Sequence, residues 1–293
     1  MLGYAALRSG ERVLDVASGT GSVARQAAAR VGRSGKVVAV DINEDMLAVG
    51  SKLALPAQAV RIDWRQGDAA RLDMADRSFD VVLCQQGLQF FRDRSAAARE
   101  MRRVLVERGR AVISVWQSLE QHPLYAALFE ATARHLGASV SDLDLSFSLP
   151  DSETLRELLV SAGFSEVETV PHTLTVRLPE LERFVQLTTT GAATSIPAFA
   201  RLDEAARRRL VEAIGDDLQA VAQFHRLARG VAAEEHRREL RTGVLEGKIH
   251  VARSGLCQVG DLPLYPHERI GPLKCTLDGL SQFSDGKYAA HVW

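Results

Sequence analysis

The sequence predicts an α/β fold, a mostly parallel sheet with helices on both faces, and three observations predict it. Between residues 11 and 118, short β-branched runs alternate with segments whose apolar residues recur at three- and four-residue spacing. The run VVLC at 81–84 is apolar on both sides of the pleat, as a strand covered on two faces must be. Five such strands with their crossovers fit in one compact unit of about 105 residues by ordinary loop lengths.

In chain order, strands are expected at Arg12 to Val16, Lys36 to Asp41, Val60 to Gln66, Phe79 to Gln85 and Ala111 to Trp116. Helices are expected at Ser22 to Val31, Glu44 to Leu55 and Ser95 to Val106. After Trp116 the rhythm changes. A helix from Pro123 to Leu136 is followed by a polar loop and by a helix from Asp151 to Ala162, which opens on the cap cluster Asp-Ser-Glu-Thr and stops at Gly163. Glu166 to Val176 reads as a sixth strand. Residues 179 to 246 read as mostly helical, clearest at Leu202 to Ile214 and Leu218 to Ala228, with Lys248 to Ala252 as a short closing strand. The chain thus divides into an α/β core (1–118), helical insertions with closing strands (119–254) and a tail (255–293) without usable periodicity.

Composition narrows the function. With 293 residues, 46% hydrophobic and 25% charged, the chain is neither disordered, collagenous nor coiled coil. A net charge of −1 leaves no basic field for nucleic acid or an anionic membrane. Of 36 basic residues 31 are Arg, which in an Ala-rich chain reads as codon bias. The charge run at 234–241 permits pairs such as Glu234 with Arg238 and reads as a solvated helix face. Cys84, Cys257 and Cys275 suit neither a disulfide framework nor a zinc knuckle, and no metal-binding spacing occurs. The first ten residues lack a secretory pattern and no apolar run nears the roughly 18 residues of a membrane span, so the cytoplasm is the expected compartment.

The residues that carry chemistry begin at VLDVASGTGSVA, 13–24. A strand ends in Asp15 and turns through Gly19-Thr20-Gly21 into a helix whose N-terminal N–H groups suit an anion. Gly19-x-Gly21-x-x-Ala24 also fits a dinucleotide fingerprint. Asp15 argues against a pyrophosphate, because like charges repel in a poorly solvated crevice, and suits a ligand with an ammonium or sulfonium group. S-adenosyl-L-methionine has both. Asp41, at the end of the second strand, can accept both ribose hydroxyls or cap the helix near Asn43. Ile42 can lie on an adenine face. In Gly67-Asp68-Ala69, the Asp68 carboxylate can take the adenine amino group and the Ala69 N–H can meet a ring nitrogen, or the three residues make a plain turn. The fourth strand exits at Gln85-Gln86-Gly87, and ligands of open α/β sheets bind beyond such strand ends.

These residues resemble those of class I S-adenosylmethionine-dependent methyltransferases, in particular the small-molecule group related to ubiquinone and menaquinone biosynthesis methylases. The resemblance covers about residues 10 to 118. It rests on Asp15-x-x-x-Gly19-Thr20-Gly21, VVAVDINEDML at 37–47, GDA at 67–69, SFDVVLCQQGLQFF at 78–91 and EMRRVLVERGRAVISVW at 100–116. It implies a three-layer Rossmann-like sandwich on a seven-stranded, mostly parallel sheet of order 3-2-1-4-5-7-6. It also implies that Asp15, Ala17, Gly19, Thr20 and Gly21 surround the methionine moiety, Asp41 and Ile42 the ribose and adenine, Asp68 and Ala69 the adenine, and Gln85 the amino end. Three features depart from the family: Ala17-Ser18 replaces the usual Gly and small residue, Glu107-Arg108-Gly109 replaces Pro-Gly-Gly, and about ten residues precede the first strand where relatives carry a few dozen.

Methyl transfer needs mainly in-line alignment, because the sulfonium is already a good leaving group. A base is needed only where the acceptor loses a proton. His122, just beyond the fifth strand, is the candidate, although a helix opening with Pro at its first position reads the same residues. Gln86, Gln89, Phe90 and Phe91 are the candidate acceptor wall. The expected activity is therefore methylation of a small, partly apolar organic molecule. The alternatives are an NAD(P)-dependent oxidoreductase, which shares Gly19-x-Gly21 and Asp41 but leaves Asp15 unexplained, and a catalytically silent nucleoside- or partner-binding protein.

Overall fold

The computed structural model describes residues 1–177, 181–192, 201–228 and 244–254. A helical turn, α1 (Leu2–Ala5), precedes β1 (Arg12–Val16), α2 (Ser22–Val31), β2 (Lys36–Asp41), α3 (Glu44–Lys52), β3 (Ile62–Gln66), β4 (Phe79–Gln85), α4 (Arg94–Val104) and β5 (Leu105–Trp116). Then come α5 (Pro123–Leu136), α6 (Ser152–Ser161), β6 (Val167–Arg177), α7 (Leu181–Ala192), α8 (Glu204–Ala228) and β7 (Val244–Ser254). The strands form one seven-stranded sheet in the order β3-β2-β1-β4-β5-β7-β6. The first five pair in parallel, and β7 runs antiparallel between β5 and β6.

Two apolar layers flank the sheet. On one face Val13, Ala39, Leu83, Val112 and Trp116 pack against Ala24 and Ala27 of α2, Leu128 of α5, Phe184 of α7 and Ile214 of α8. On the other, Leu14, Val38, Val82, Ile113 and Val115 pack against Ala97 and Met101 of α4 and Leu155 and Leu159 of α6. Strands β1, β2, β4 and β5 therefore feed both layers by their two-residue alternation, which makes the sheet the middle of three layers. The amino-terminal edge is locked by ion pairs. Arg12 pairs with Asp80 across β1 and β4, and Arg110 binds Glu11 as well as the carbonyls of Ala5 and Ala6.

The element boundaries depart from expectation in a few places. The strand expected from Val60 begins at Ile62, and the helix expected to reach Leu55 ends at Lys52. The fifth strand begins at Leu105 rather than Ala111, because residues after Leu105 loop out of register between the pairs Phe79–Leu105 and Val81–Arg110 before the ladder resumes. The two expected pieces between 202 and 228 are one helix, α8, and the closing strand spans Val244–Ser254 rather than five residues. Pro171 interrupts no ladder on its outer side, since β6 is an edge strand paired only with β7. The Glu234–Arg238 pair and the tail from 255 lie outside the described residues.

A single indole sets the spacing of the first crossovers. Trp64 of β3 lies against Gly21, at the start of α2, and against Gly50 of α3. Gly21 has φ +78°, and a Cβ there would fall inside the Trp64 ring; one on Gly50 would stand 2.8 Å from that ring and 2.7 Å from the Thr20 carbonyl. Gly50→Ala is expected to destabilise the fold by about 1–3 kcal/mol through overpacking, and Trp64→Leu in the same chain to recover part of that loss. Equal losses with and without Trp64, measured by denaturant melting, would rule the wedge out.

Ala17 carries the opposite lesson. Its φ is +55°, a left-handed conformation that a Cβ makes costly. Ala17→Gly is expected to stabilise by about 1 kcal/mol, raising the melting temperature by about 2–4 °C. A lowered melting temperature would mean that the methyl group's packing outweighs the strain.

Candidate functional site

The strand order brings the sequence-predicted residues to one edge. Asp68 follows β3, Asp41 ends β2, Asp15 lies near the end of β1 and Gln85 ends β4, so reading across β3-β2-β1-β4 meets them one after another. Strands β1 and β4 are where the order reverses, and the loops that leave them meet closely: a Cβ on Gly87 would stand 2.6 Å from the Ala17 Cβ. Gln86 in that second loop shares the left-handed conformation, with φ +54°. Two non-glycine residues held in that region on facing loops mark a site whose surroundings fix its geometry.

Asp41 is the hub of the loops. One carboxylate oxygen accepts from the Gly19 N–H at 2.7 Å and the other from the Asn43 N–H at 2.8 Å, while the Asp41 carbonyl accepts from Gly67. The cap of α3 is Asn43, whose Oδ1 accepts from the Met46 N–H at 3.1 Å; the helix-cap reading of Asp41 is thereby corrected. A carboxylate has about four lone-pair directions, so Asp41 keeps capacity for two further donors. Beside it Ile42 is 70% exposed, a large apolar side chain at the rim of the crevice.

Asp15 is different in kind. It is 1% exposed on the α2 face of the sheet, and its Oδ2 has no hydrogen-bond partner among the described residues. Burial raises its pKa to about 8, helped by the negative Asp41 and opposed by the Ala24 N–H. Such a group waits for a partner: an arriving cation would supply the charge compensation that the fold withholds. Cys84, on the neighbouring strand, is pushed up to about 12 by burial and by Asp15, so it is an inert buried thiol.

After β3, Gly67-Asp68-Ala69 forms a turn in which the Asp68 carboxylate accepts from the Ala70 N–H at 2.9 Å; Asp68 is exposed and Ala69 is buried. After β4, Gln89 is buried and donates to the Gln86 side chain at 3.0 Å. Phe91 packs onto the α4 layer, while Phe90 stays half-exposed. Arg94 ties this exit to the later chain, donating to the Gln89 carbonyl at 2.7 Å and to the Ser148 hydroxyl at 2.6 Å. His122 opens α5 with Pro123 behind it, as its helix-start reading expects, but its side chain caps nothing. The ring is buried among Trp116, Tyr125 and Phe147.

Sequence reading missed Ser114. It sits on β5 in register with Gln85, is 1% exposed, and its hydroxyl has no hydrogen-bond partner among the described residues. The available signal was one polar residue inside the strand AVISVW. Among the described residues no group of three His, Cys, Asp or Glu side chains could hold a metal, and no helix is long and apolar enough to cross a membrane.

Comparison with known proteins identifies the family. The model of the ubiE/COQ5 methyltransferase family matches residues 2–178. A ubiquinone/menaquinone biosynthesis C-methyltransferase from Ectopseudomonas mendocina is 35% identical over 193 residues, 61% of this chain and 74% of that protein. Its counterpart from Pseudomonas putida is 37% identical over 173 residues, 55% and 68% of the two chains. In fold, the chain is similar to a crystal structure from Bacillus halodurans (TM-score 0.54, 22% identity, covering 87% of this chain and 96% of that one). One from Anabaena variabilis gives a TM-score of 0.58 at 18% identity, covering 87% and 94%. The oxidoreductase and silent-binder readings find no support in these likenesses. The chain belongs to the ubiE/COQ5 methyltransferase family, and it is an enzyme that moves a methyl group from S-adenosylmethionine to a small organic acceptor.

Proposed function

We propose that the cofactor lies along the carboxyl edge of β3, β2, β1 and β4, and that the acceptor is a small, partly apolar molecule beyond its methionine end. Asp68, Ala69 and Ile42 hold the adenine, Asp41 the ribose, and Asp15, Ala17, Gly19, Thr20, Gly21 and Gln85 the methionine moiety. The observation that carries this reading is the buried Asp15 carboxyl, whose Oδ2 has no hydrogen-bond partner among the described residues, beside the N-terminus of α2, a place that suits one ammonium and one carboxylate together. A dinucleotide would bring its anionic pyrophosphate to Asp15. When bound, S-adenosylmethionine supplies a methyl group already on a good leaving group, so the protein's task is to orient the acceptor and exclude water.

Residues 1–118 are read as the cofactor-binding part and 119–254 as the acceptor cover, with Gln86, Gln89 and Phe90 on the near wall. Phe91 contributes by packing beneath them. The aromatic cluster of Trp116, Tyr125, Phe129 and Phe147 beyond β5 supports an acceptor with a flat apolar ring. The relatives' names, ubiquinone/menaquinone biosynthesis C-methyltransferases, make ring precursors of quinones the first acceptors to assay. The balanced charge supports a partner other than nucleic acid, and the scattered cysteines support action in the cytoplasm.

Calorimetry against S-adenosylhomocysteine and NADH tests the reading, with binding expected for the first alone; the reverse would overturn it. Asp41→Ala is expected to weaken S-adenosylhomocysteine binding about tenfold or more, since each charge-assisted hydrogen bond contributes roughly 1.5–3 kcal/mol. The same affinity in parent and variant would leave Asp41 as a loop clamp only.

Asp15 gives a pH signature. Its pKa is higher in the folded chain than in an unfolded one, so the folded state holds the extra proton. Its contribution to stability is full below about pH 4 and fades as pH rises toward about 8. Asp15→Asn is expected to remove that decline, so the melting-temperature gap between variant and parent should widen from pH 5 to pH 8. A cationic ligand reverses the shift, so cofactor binding near pH 6.5 should release up to about one proton, read by calorimetry in buffers of different ionisation enthalpy. No proton release at that pH would show that Asp15 is already ionised.

A further inference from the structure

The segment between α5 and α6 crosses the end of the sheet. Leu143 and Phe147 are buried in the apolar layer on the α2 face, and Leu149 is buried in the layer on the α4 face. A chain that changes layers between Phe147 and Leu149 has to pass over an edge of the sheet, and the neighbours of Phe147 say which one. Its ring is 6.1 Å from that of Trp116, the last residue of β5, and 5.6 Å from that of Tyr125. The segment also packs on the helical turn Leu88–Phe90 that follows β4. Residues 145–149 therefore form a strap over the carboxyl ends of β4 and β5, the acceptor end of the site assigned above. The strap has little regular structure of its own. It holds one helical turn, Leu145–Phe147, closed by the bonds of the Phe147 and Ser148 N–H groups to the carbonyls of Asp144 and Leu145.

Arg94 fastens this strap to the exit of β4. Its Nη2 donates to the Gln89 carbonyl at 2.7 Å and to the Ser148 hydroxyl at 2.6 Å, and its Nη1 donates to the Ser148 carbonyl at 3.3 Å. The Ser148 hydroxyl in turn donates to the same Gln89 carbonyl at 3.1 Å. The helix does not explain this arginine, which stands in the first turn of α4, where a cation works against the macrodipole. Bonds from a guanidinium are charge-assisted, and its planar fork fixes the relative positions of the groups it holds. From Gln89 the contacts run on toward the cofactor. The Gln89 side chain donates to that of Gln86 at 3.0 Å, the Gln86 N–H donates to the Ser114 carbonyl at 2.9 Å, and Gln86 follows Gln85, placed above at the methionine moiety. Beside them Gly87 lies against Ala17 of the loop after β1. A continuous series of contacts thus joins the cofactor loops to the strap, and Arg94 with Ser148 forms its last link.

We propose that Arg94 is a positioning residue that couples the two ends of the site: when the cofactor orders the exit of β4, Arg94 and Ser148 pass that order to residues 145–149. This rests on the site assignment above. The strap carries Phe147 into the aromatic cluster, so the wall that meets the acceptor is firmest when the cofactor is in place. Coupling of this kind is reciprocal, so an acceptor held under the strap tightens the cofactor in turn. A segment whose amides are held by a single turn opens more readily than the sheet beneath it, which leaves room for a ligand to slow that opening.

Amide hydrogen exchange of the whole chain, with and without saturating S-adenosylhomocysteine, tests the proposal, and the quantity read is the difference between the two. In the parent the ligand is expected to slow exchange at residues 145–149 about fivefold or more, besides slowing it at 15–21 and 86–89. Arg94→Met keeps the stem and drops the guanidinium, and Ser148→Ala removes one hydroxyl. Both variants are expected to keep the ligand-dependent slowing at 15–21. At 145–149 Arg94→Met should lose it, and Ser148→Ala should reduce it, because Arg94 still reaches the Ser148 carbonyl. By reciprocity, S-adenosylhomocysteine should bind the variants more weakly by no more than the same fold. The double variant should lose no more than Arg94→Met alone, since both groups act on the one Gln89 carbonyl. A role confined to fold stability would change exchange with and without ligand alike and leave the difference intact. An undiminished difference in Arg94→Met, no difference at 145–149 in the parent, or variants that bind no S-adenosylhomocysteine while the parent does would each overturn the role of Arg94. Failure of the parent to bind S-adenosylhomocysteine would instead bring down the site assignment on which it rests.

Discussion

The clamp formed by the Asp41 carboxylate holds the rest of the site in place. Through it the end of β2 grips the loop after β1 at Gly19 and the entry to α3 at Asn43, and the backbone around it grips Ser18 and Gly67. Three loops from three strands are thereby tied to one residue. Charge-assisted bonds to backbone N–H groups are among the stronger neutral-to-ion contacts, which is why Ala17 can be held left-handed beside them. Trp64 completes the arrangement from below by setting how closely α2 and α3 approach.

With the loops fixed in this way, the polar groups on the α2 face of the sheet stay under-satisfied. Asp15 and Ser114 sit on β1 and β5 with unanswered atoms, and the Gln89 Oε1 is a third such atom in the loop after β4. Each costs stability in an otherwise well-packed three-layer core. Active sites commonly bear such costs, because groups arranged for a ligand are poorly arranged for its absence. The ion pairs Arg12–Asp80 and Arg110–Glu11 lie at the opposite edge of the sheet, where they stiffen the frame without touching the site.

The parallel half of the sheet was legible in the sequence because β2 and β4 carry apolar runs that end in a polar residue, Asp41 and Gln85, and β1 carries Asp15 next to its end. Asp15, Asp41, Asp68 and Gln85 could be set on one edge before any coordinates, since strand ends in this order converge by topology alone. What was not legible depends on pairing rather than pattern. The start of β5 is hidden by Glu107-Arg108-Gly109, which reads as a turn and is in fact looped out of a continuing strand. Leu202 to Ala228 reads as two helices because Gly215 and the acidic pair after it interrupt the apolar period, and packing of α8 on α5 and α7 carries the helix through. Ser114 is invisible in a run of apolar neighbours, and only the fold places the Ser118 carbonyl beside the His122 Nδ1.

The position of β7 has a consequence for how the chain is made. It pairs with β5 on one side and β6 on the other, yet it is the last of the described strands to leave the ribosome. Until residues 244–254 emerge, β5 has an open edge and β6 has no partner at all. An unpaired edge of apolar strand such as AVISVW is a template for association with other chains. The growing chain must therefore keep that edge shielded throughout the synthesis of its helical segments, and the nascent protein is most exposed to misassembly just before the sheet closes.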